Sequence, residues 1–414
     1  MQKSQEPKPI ITRVWAHNLR SLEHMELELG PLTVLVGPNA SGKSNIVDVL
    51  RFVADGLRNG LDAAVTDRHG IVAMRRWSLH GRPFDIELGL EATVDSANVV
   101  YQFVIGSKPG GQYEIKRESG IVVSPDVEGG LWEFEVRKGV LVKPQLEGAK
   151  TRQLELFGPA RSFEITDFAM PQIRRMLPWR VRRKSAVGIL ANPLTSLLLF
   201  IRQMRFYHIF PNVFREPQKP GRPYPLGEHG ENLAAVLRDM IKHDGRFLPD
   251  LRDALGKVVP GICDVQVSQV GGYLVTKLKH AVEGGNGKGA WFDLSQESDG
   301  TLRLLGILVA LFQDPVPSLI AMEEPELIIH PGALAVLADL LKEATQRTQI
   351  LITTHSPDLM DHLPVESLRA VESVGGVTNV GMVAAHQREA VRQGLFSAGE
   401  LHRIEGLERD KTSR

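Results

Sequence analysis

Cysteine is nearly missing from this 414-residue chain, in which Cys263 stands alone. A single thiol excludes an internal disulfide and any zinc site made of two or four cysteines. It suits a reducing compartment and predicts a small buried hydrophobe at that position. Net charge is missing as well, since 49 basic side chains face 49 acidic ones. No global field therefore draws the chain toward nucleic acid or an anionic membrane, and any such contact needs a local patch. Residues 1–9 are polar and lysine-bearing, with no apolar stretch of the secretory kind behind them. Long hydrophobic runs are absent too, because residues 195–201 and 304–312 stop well short of the roughly 18 that a membrane span requires. These absences predict a soluble cytoplasmic protein with no membrane partner, of ordinary globular composition and long enough for two or three domains.

What is present in full is a phosphate-binding loop. Gly37-Pro38-Asn39-Ala40-Ser41-Gly42-Lys43-Ser44 satisfies the spacing G-x-x-x-x-G-K-S, and Asn45 follows it. Upstream, residues 32–36 form an apolar, β-branched run of the buried-strand type; downstream, residues 44–50 carry apolar side chains at helical spacing. Strand, glycine turn and helix are the context in which such a loop works. Gly37 and Gly42 let the backbone curl so that successive N–H groups point inward. Lys43 can reach the outer phosphates, the Ser44 hydroxyl can hold Mg²⁺, and the helix start adds its positive dipole end. The loop predicts a nucleotide and Mg²⁺ as ligands and leaves the class of nucleotide enzyme open.

Alternation predicts strands over residues 10–15 and 25–29 beside the strand at 32–36, and then three antiparallel strands over 84–94, 99–105 and 113–123. Residues 1–123 are thus expected to form an N-terminal lobe. From 124 to 285 the pattern is irregular and reads as an inserted α+β subdomain, with a helix over 232–241 and strands over 265–270 and 273–278. It contains a basic stretch, Arg174, Arg175, Arg180, Arg182, Arg183 and Lys184, with Trp179 interleaved, which could neutralise phosphates and stack on bases. A solvated charge run is the plainer alternative. Residues 286–385 then alternate a strand at 290–294, an apolar helix at 302–312, a buried strand at 318–322, an amphipathic helix at 333–343 and a buried strand at 350–353, with a tail over 386–414. Helix and strand in alternation predict a parallel sheet flanked by helices, whose ligands lie beyond the carboxyl ends of the strands.

Two strand ends carry chemistry. After 318–322 come Glu323-Glu324-Pro325-Glu326. Facing a phosphate loop, the first carboxylate is placed for the Mg²⁺ shell and the second for polarising an attacking water, with Glu326 more simply a solvated turn residue. After 350–353 comes Thr354-His355-Ser356-Pro357, where a histidine can donate to a terminal phosphate. A third feature, Ser298-Asp299-Gly300-Thr301, precedes the helix at 302–312 and reads either as an ordinary N-cap or as a second anion site. One nucleotide does not need two phosphate cradles from the same subunit.

In this order and with a long insertion after the first, these motifs resemble the ABC-type ATPases of the SMC and RecF branch, and more closely the stand-alone RecF-like AAA-family ATPases. Asn18-Leu19-Arg20-Ser21-Leu22, Gly230-Glu231-Asn232-Leu233 and Gly399-Glu400-Leu401 extend the likeness over most of the chain. The resemblance implies an ABC-type P-loop NTPase head of the α/β class, with a mixed sheet flanked by helices, an antiparallel β subdomain and the inserted subdomain. It implies ATP as nucleotide, Ser44 and Glu323 on Mg²⁺, Glu324 as general base and His355 as switch histidine. Ser298 and Gly300 would touch the γ-phosphate held by a second subunit, so that two copies clamp two ATP molecules. Three residues depart from the family's letters: Glu297 stands for leucine, Asp299 for glycine and Glu323 for aspartate. Gln102 is a candidate for the family's Q-loop glutamine. The function implied is an ATP-gated dimer acting in DNA double-strand break repair or anti-phage DNA defence. An ATP-dependent switch for a partner effector such as a nuclease is the alternative, since the tail is too short for the nuclease domain of OLD-type relatives. A transporter subunit fits the altered signature least.

Overall fold

The computed structural model describes residues 10–77, 84–94, 97–123, 131–146, 167–168, 193–242, 248–281 and 289–411. The basic stretch between Arg174 and Lys184 lies outside them.

Period-two patterning builds the first layer. Strands β1 (Ile10–Leu19), β2 (Leu22–Glu28), β4 (Ile86–Val94), β5 (Ala97–Ser107), β6 (Tyr113–Val123), β7 (Leu131–Arg137) and β8 (Val140–Leu146) form a seven-stranded antiparallel sheet in the order β2-β1-β4-β5-β6-β7-β8. Register sets like against like: Ile86, Leu88, Leu90, Ala92 and Val94 lie opposite Ile105, Phe103, Tyr101, Val99 and Ala97, and all ten are buried. Cross-strand apolar pairs of this kind are the unit of sheet stability. Phe134 and Val136 continue the buried face, so the sheet runs past residue 123, the expected edge of the N-terminal lobe.

The second sheet has six strands in the order β16-β15-β3-β14-β13-β9. These are β3 (Leu32–Val36), β9 (Arg205–Tyr207), β13 (Leu319–Glu323), β14 (Gln349–Thr354), β15 (Leu368–Val374) and β16 (Val377–Met382), and all neighbours pair in parallel except β15 with β16. Its central strands read as continuous apolar runs because both faces are covered. Leu35, Leu319, Ala321 and Leu351 join the core shared with the first sheet and helix α1 (Lys43–Asn59), whereas Val34, Val36, Ile320, Met322, Ile350 and Ile352 point into a second core. Helices α2 (Leu61–Thr66) and α3 (Pro193–Gln203) pack on the first core, and α4 (Leu233–Lys242), α5 (Leu248–Val258), α6 (Asp299–Phe312) and α7 (Leu334–Ala344) build the second. A small antiparallel sheet, β10 (Ile262–Val270), β11 (Tyr273–Ala281) and β12 (Gly289–Asp293), lies beside them. Two late helices, α8 (Ala385–Arg392) and α9 (Ala398–Ile404), close the fold.

The segment expected to be an insertion therefore contributes β7 and β8 to one sheet and β9 to the other. Cys263 is exposed, correcting the expectation of a buried thiol, because it falls at a register shift in β10 between Ile262, which is buried, and Asp264. Among the described residues no helix is long and apolar enough to cross a membrane.

One buried side chain stitches the sheets together. Gln349, at the start of β14, accepts from Ile11 N–H at 3.1 Å and donates to Ile11 O at 2.7 Å and Gly30 O at 3.0 Å. Gln349→Ala strands these groups in the interior, where each orphan costs about 1–3 kcal/mol. We expect chemical denaturation to show a stability loss of about 2–4 kcal/mol; a loss below about 1 kcal/mol would mean that the bridge is dispensable.

Candidate functional site

Parallel pairing decides where the motifs meet. Glu323 lies opposite Thr353, Thr353 opposite Leu35 and Thr354 opposite Val36. The chain leaves all three strands at one edge, and Gly37, Glu324 and His355 are the residues that follow.

The loop between β3 and α1 is shaped by close approach. A Cβ on Gly42, whose φ is 103°, would meet the Thr378 hydroxyl at 2.0 Å, and one on Gly37 would meet the Val371 carbonyl at 2.2 Å. Thr378 donates to Ser41 O at 2.9 Å and lies 2.7 Å from Ser21 Oγ, to which Asn45 donates at 2.7 Å. Arg20, from the turn between β1 and β2, reaches Asn45 at 3.3 Å and Asp48 at 3.1 Å. The family-like phrase at 18–22 thus buttresses the first turn of α1. Pro38, Asn39 and Ala40 are exposed, and Ser41 is buried with a hydroxyl that finds no partner among the described residues.

Lys43 is 7% exposed and folds over the loop, donating to Gly37 O at 2.8 Å and Pro38 O at 3.1 Å. Burial pulls its ammonium below the ordinary lysine range, against the raising influence of Glu324, Glu326 and Glu323. Ser44 donates to Glu323 Oε2 at 2.6 Å. Two hard oxygen donors meeting from different elements are what Mg²⁺ takes, so the donor set fits that ion.

Glu324 follows in a left-handed conformation with φ 46°. Its N–H donates to Thr353 O at 3.0 Å, and its carboxylate lies 4.0 Å from Lys43 Nζ and 2.6 Å from His355 Nδ1. His355 N–H donates to the same oxygen at 3.2 Å, while its ring remains 46% exposed. Glu326 is not a solvated turn residue. At 7% exposure it accepts from the Thr354 hydroxyl, and its other oxygen is buried with no partner among the described residues. Donor atoms of Glu324, Glu326 and His355 lie within 4.8 Å of one another.

Ser298 caps α6, accepting from Thr301 N at 3.1 Å, and both Ser298 and Asp299 are exposed. Gly300 has a packing role, because a Cβ there would meet Ile328 O at 2.8 Å. Glu297, in the position of the family's leucine, is buried with its carboxylate 2.7 Å from His280 Nε2. Gln102 donates to Ser119 within the antiparallel sheet.

The residue that sequence reasoning missed is Arg303. It is 5% exposed and spends its guanidinium on backbone carbonyls, reaching Glu324 O at 2.7 Å, Ile209 O at 2.9 Å, Pro325 O at 3.4 Å and Glu323 O at 3.5 Å. Burial pulls its pKa down, and Glu326 and Glu324 hold it up. The available signal was the lone charge among the otherwise apolar residues 302–312.

Burial raises the Glu326 carboxyl to about 7, with the Thr354 hydroxyl bond opposing the shift. A carboxyl that binds its proton more tightly folded than unfolded adds stability at low pH and loses it as pH rises from the ordinary glutamate range to about 7. We expect the stability of the nucleotide-free protein to fall across that window by up to about 3 kcal/mol, and Glu326→Gln to flatten the fall. Equal slopes for both proteins in denaturation series at pH 5, 6, 7 and 8 would show that Glu326 titrates normally.

Comparison with solved structures gives the same architecture. An SMC head bound to the C-terminal winged-helix domain of ScpA superposes with TM-score 0.55 at 14% identity, covering 92% of this chain and 99% of that one. An SMC head with an extended coiled coil, bound to the C-terminal domain of ScpA and derived from Pyrococcus furiosus, gives 0.50 at 12% identity, covering 94% and 99%. At such identities the likeness is one of fold. The comparison with curated proteins gives no match. A family profile matches residues 32–136 and 177–361, which hold the phosphate loop, the carboxylates and His355. That match spans well over half of the chain, which therefore belongs to the family described as "AAA domain, putative AbiEii toxin, Type IV TA system", P-loop ATPases with an SMC-like head.

Proposed function

We propose that the protein binds and hydrolyses ATP in an ATP-gated pair of copies. The observation that carries this is the convergence of Lys43, the Ser44 and Glu323 oxygens, and the Glu324 and His355 pair at one edge of the parallel sheet. The N–H groups of the loop and the start of α1 take the phosphates, and Lys43 turns from the Gly37 and Pro38 carbonyls to the outer ones. Ser44 and Glu323 would hold Mg²⁺, which would supply positive charge against the phosphate oxygens. Glu324 accepts the proton of the attacking water. His355 shares its Nδ1 side with that carboxylate, which leaves its other ring nitrogen to meet the γ-phosphate. Exposure of Ser298 at the N-terminus of α6 supports its use by the opposite copy.

DNA is the macromolecule we assign to the pair, supported by the six basic residues around Trp179. The family's description as a toxin of a type IV TA system favours defence over repair. A switch acting on a partner protein is the second reading, favoured by the similar SMC heads that hold domains of ScpA.

Glu324→Gln should retain ATP binding, slow turnover on the order of 10²- to 10⁴-fold and accumulate dimer in light scattering. An unchanged turnover would remove Glu324 as the base. Lys43→Ala should abolish the binding heat in calorimetry, and normal affinity there would overturn the loop assignment. If the pair acts on duplex DNA, replacing Arg180, Arg182 and Arg183 by alanine should flatten the salt dependence of binding by about 2–3 units of log–log slope. Equal slopes would exclude that segment.

A further inference from the structure

The last helix of the described chain is fastened to the turn that carries His355. Beyond that histidine, Ser356 caps a single helical turn, Pro357–Met360, accepting from Leu359 N at 3.3 Å. Helix α9 lies against this turn at a distance only glycine permits, since a Cβ on Gly399 would meet Pro357 O at 2.2 Å and Asp361 Oδ1 at 2.4 Å. Gly399 N–H donates to Asp361 Oδ1 at 2.6 Å, and Arg403 pairs with Asp358 and, at 3.7 Å, with Asp361. The start of α9 is held by a capping box, Ser397 N donating to Glu400 Oε2 at 2.7 Å and Glu400 N to Ser397 Oγ at 3.1 Å. Beneath the seam, Ala398 shares the second core with Leu359 and Met360.

His402 lies in the last turn of α9. Its Nδ1 is buried and finds no partner among the described residues. Burial, and after it the influence of His355, Lys43 and Arg403, depresses its protonation. A buried ring nitrogen without a bond is an unusual thing for a fold to keep. The exposed ion pairs of Arg403 contribute little by themselves. The backbone contact at Gly399 ties the two segments together sterically.

Resting on the ATPase reading above, we propose that α9, packed against Pro357 and Asp361 through Gly399, is a positioning element for His355, with His402 the α9 side chain that acts on it, so that ATP in the loop orders the His355 turn and α9 as one unit. Movement of Pro357–Met360 toward the phosphates must carry the Gly399 backbone with it, because their separation is set by contact between main chains. Exposed apolar side chains flank α9, Leu395 and Phe396 just before it and Ile404 at its end, at 65%, 44% and 69% exposure, and they would move with this strap.

The test uses the full chain with ATP and Mg²⁺. His402→Ala and Gly399→Ala should each lower kcat by at least about tenfold while KM for ATP changes by less than about threefold. In a His355→Ala background the same substitutions should add less than about twofold, whereas a merely structural role would give additive losses. Arg403→Ala, a surface change, guards against a misfolded Gly399 variant and should give a smaller effect of the same pattern. Hydrogen exchange reads the coupling without turnover: ATP should slow exchange at residues 355–361 and 398–404 together. Additive kinetics, or protection confined to 355–361, would overturn the strap while leaving the ATPase assignment standing. Calorimetry showing no ATP binding by the wild-type protein would instead overturn the parent assignment and the strap together.

Discussion

Hydrogen bonds that pair β14 with β3 on one side and with β13 on the other hold Thr353 opposite both Leu35 and Glu323. A slip of one residue in either ladder would turn each inward side chain to the opposite face and bury the wrong set. Because both faces of these strands lie in dense apolar cores, that slip is excluded by packing. The edge where the motifs meet inherits the same rigidity. Gly37, Glu324 and His355 come from segments far apart in the chain, and they are neighbours only because their strands end in register.

Charge balance at that edge is settled by two buried cations. Glu323, Glu324 and Glu326 would repel one another if left alone, and Lys43 answers from the loop while Arg303 answers from α6. Arg303 does so through carbonyls rather than carboxylates, which lets it fix the backbone of residues 323–325 without occupying their carboxylates. Glu326 responds differently. Deep burial and a neighbouring carboxylate favour its protonated form, so the site near neutrality need not hold three full negative charges.

Much of this was legible in the sequence because it depends on local pattern. The phosphate loop, its strand and helix, the apolar runs ahead of Glu323 and Thr354, and the cap at Ser298 each carry a signature within about ten residues. What escaped were arrangements decided at long range. Glu326 looks like a turn residue until β14 brings Thr354 onto it. Strands β15 and β16 have partly exposed, short sequences, and their hairpin signal, Gly375-Gly376 with φ 58° and 78°, is only two residues long. Strand β9 has three residues and becomes a strand by lying beside β13. Arg303 was visible as a charge in an apolar helix, but its partners are carbonyls, which no residue pattern records.

The loop after β13 is strained where it meets the start of α6. Glu324 and Ile328 both hold positive φ, at 46° and 59°, and for a β-branched residue such as Ile328 this conformation is an outlier worth about 1–3 kcal/mol. It persists because the loop is gripped from both sides. Thr353 binds the Glu324 N–H, Arg303 binds its carbonyl, and Gly300 abuts the carbonyl of Ile328. Two of these three grips belong to the first turns of α6, the helix whose exposed cap is formed by Ser298. A force on that cap cannot be absorbed by α6 alone, since the helix is rigid and buried from Thr301 onward. Gly300 meets the backbone of Ile328 and Arg303 that of Glu324, so the helix start and this loop are joined at two points. In the proposed pair, the contact that one copy makes with the other's nucleotide would therefore bear on its own general base, and the strained loop is the element able to transmit it.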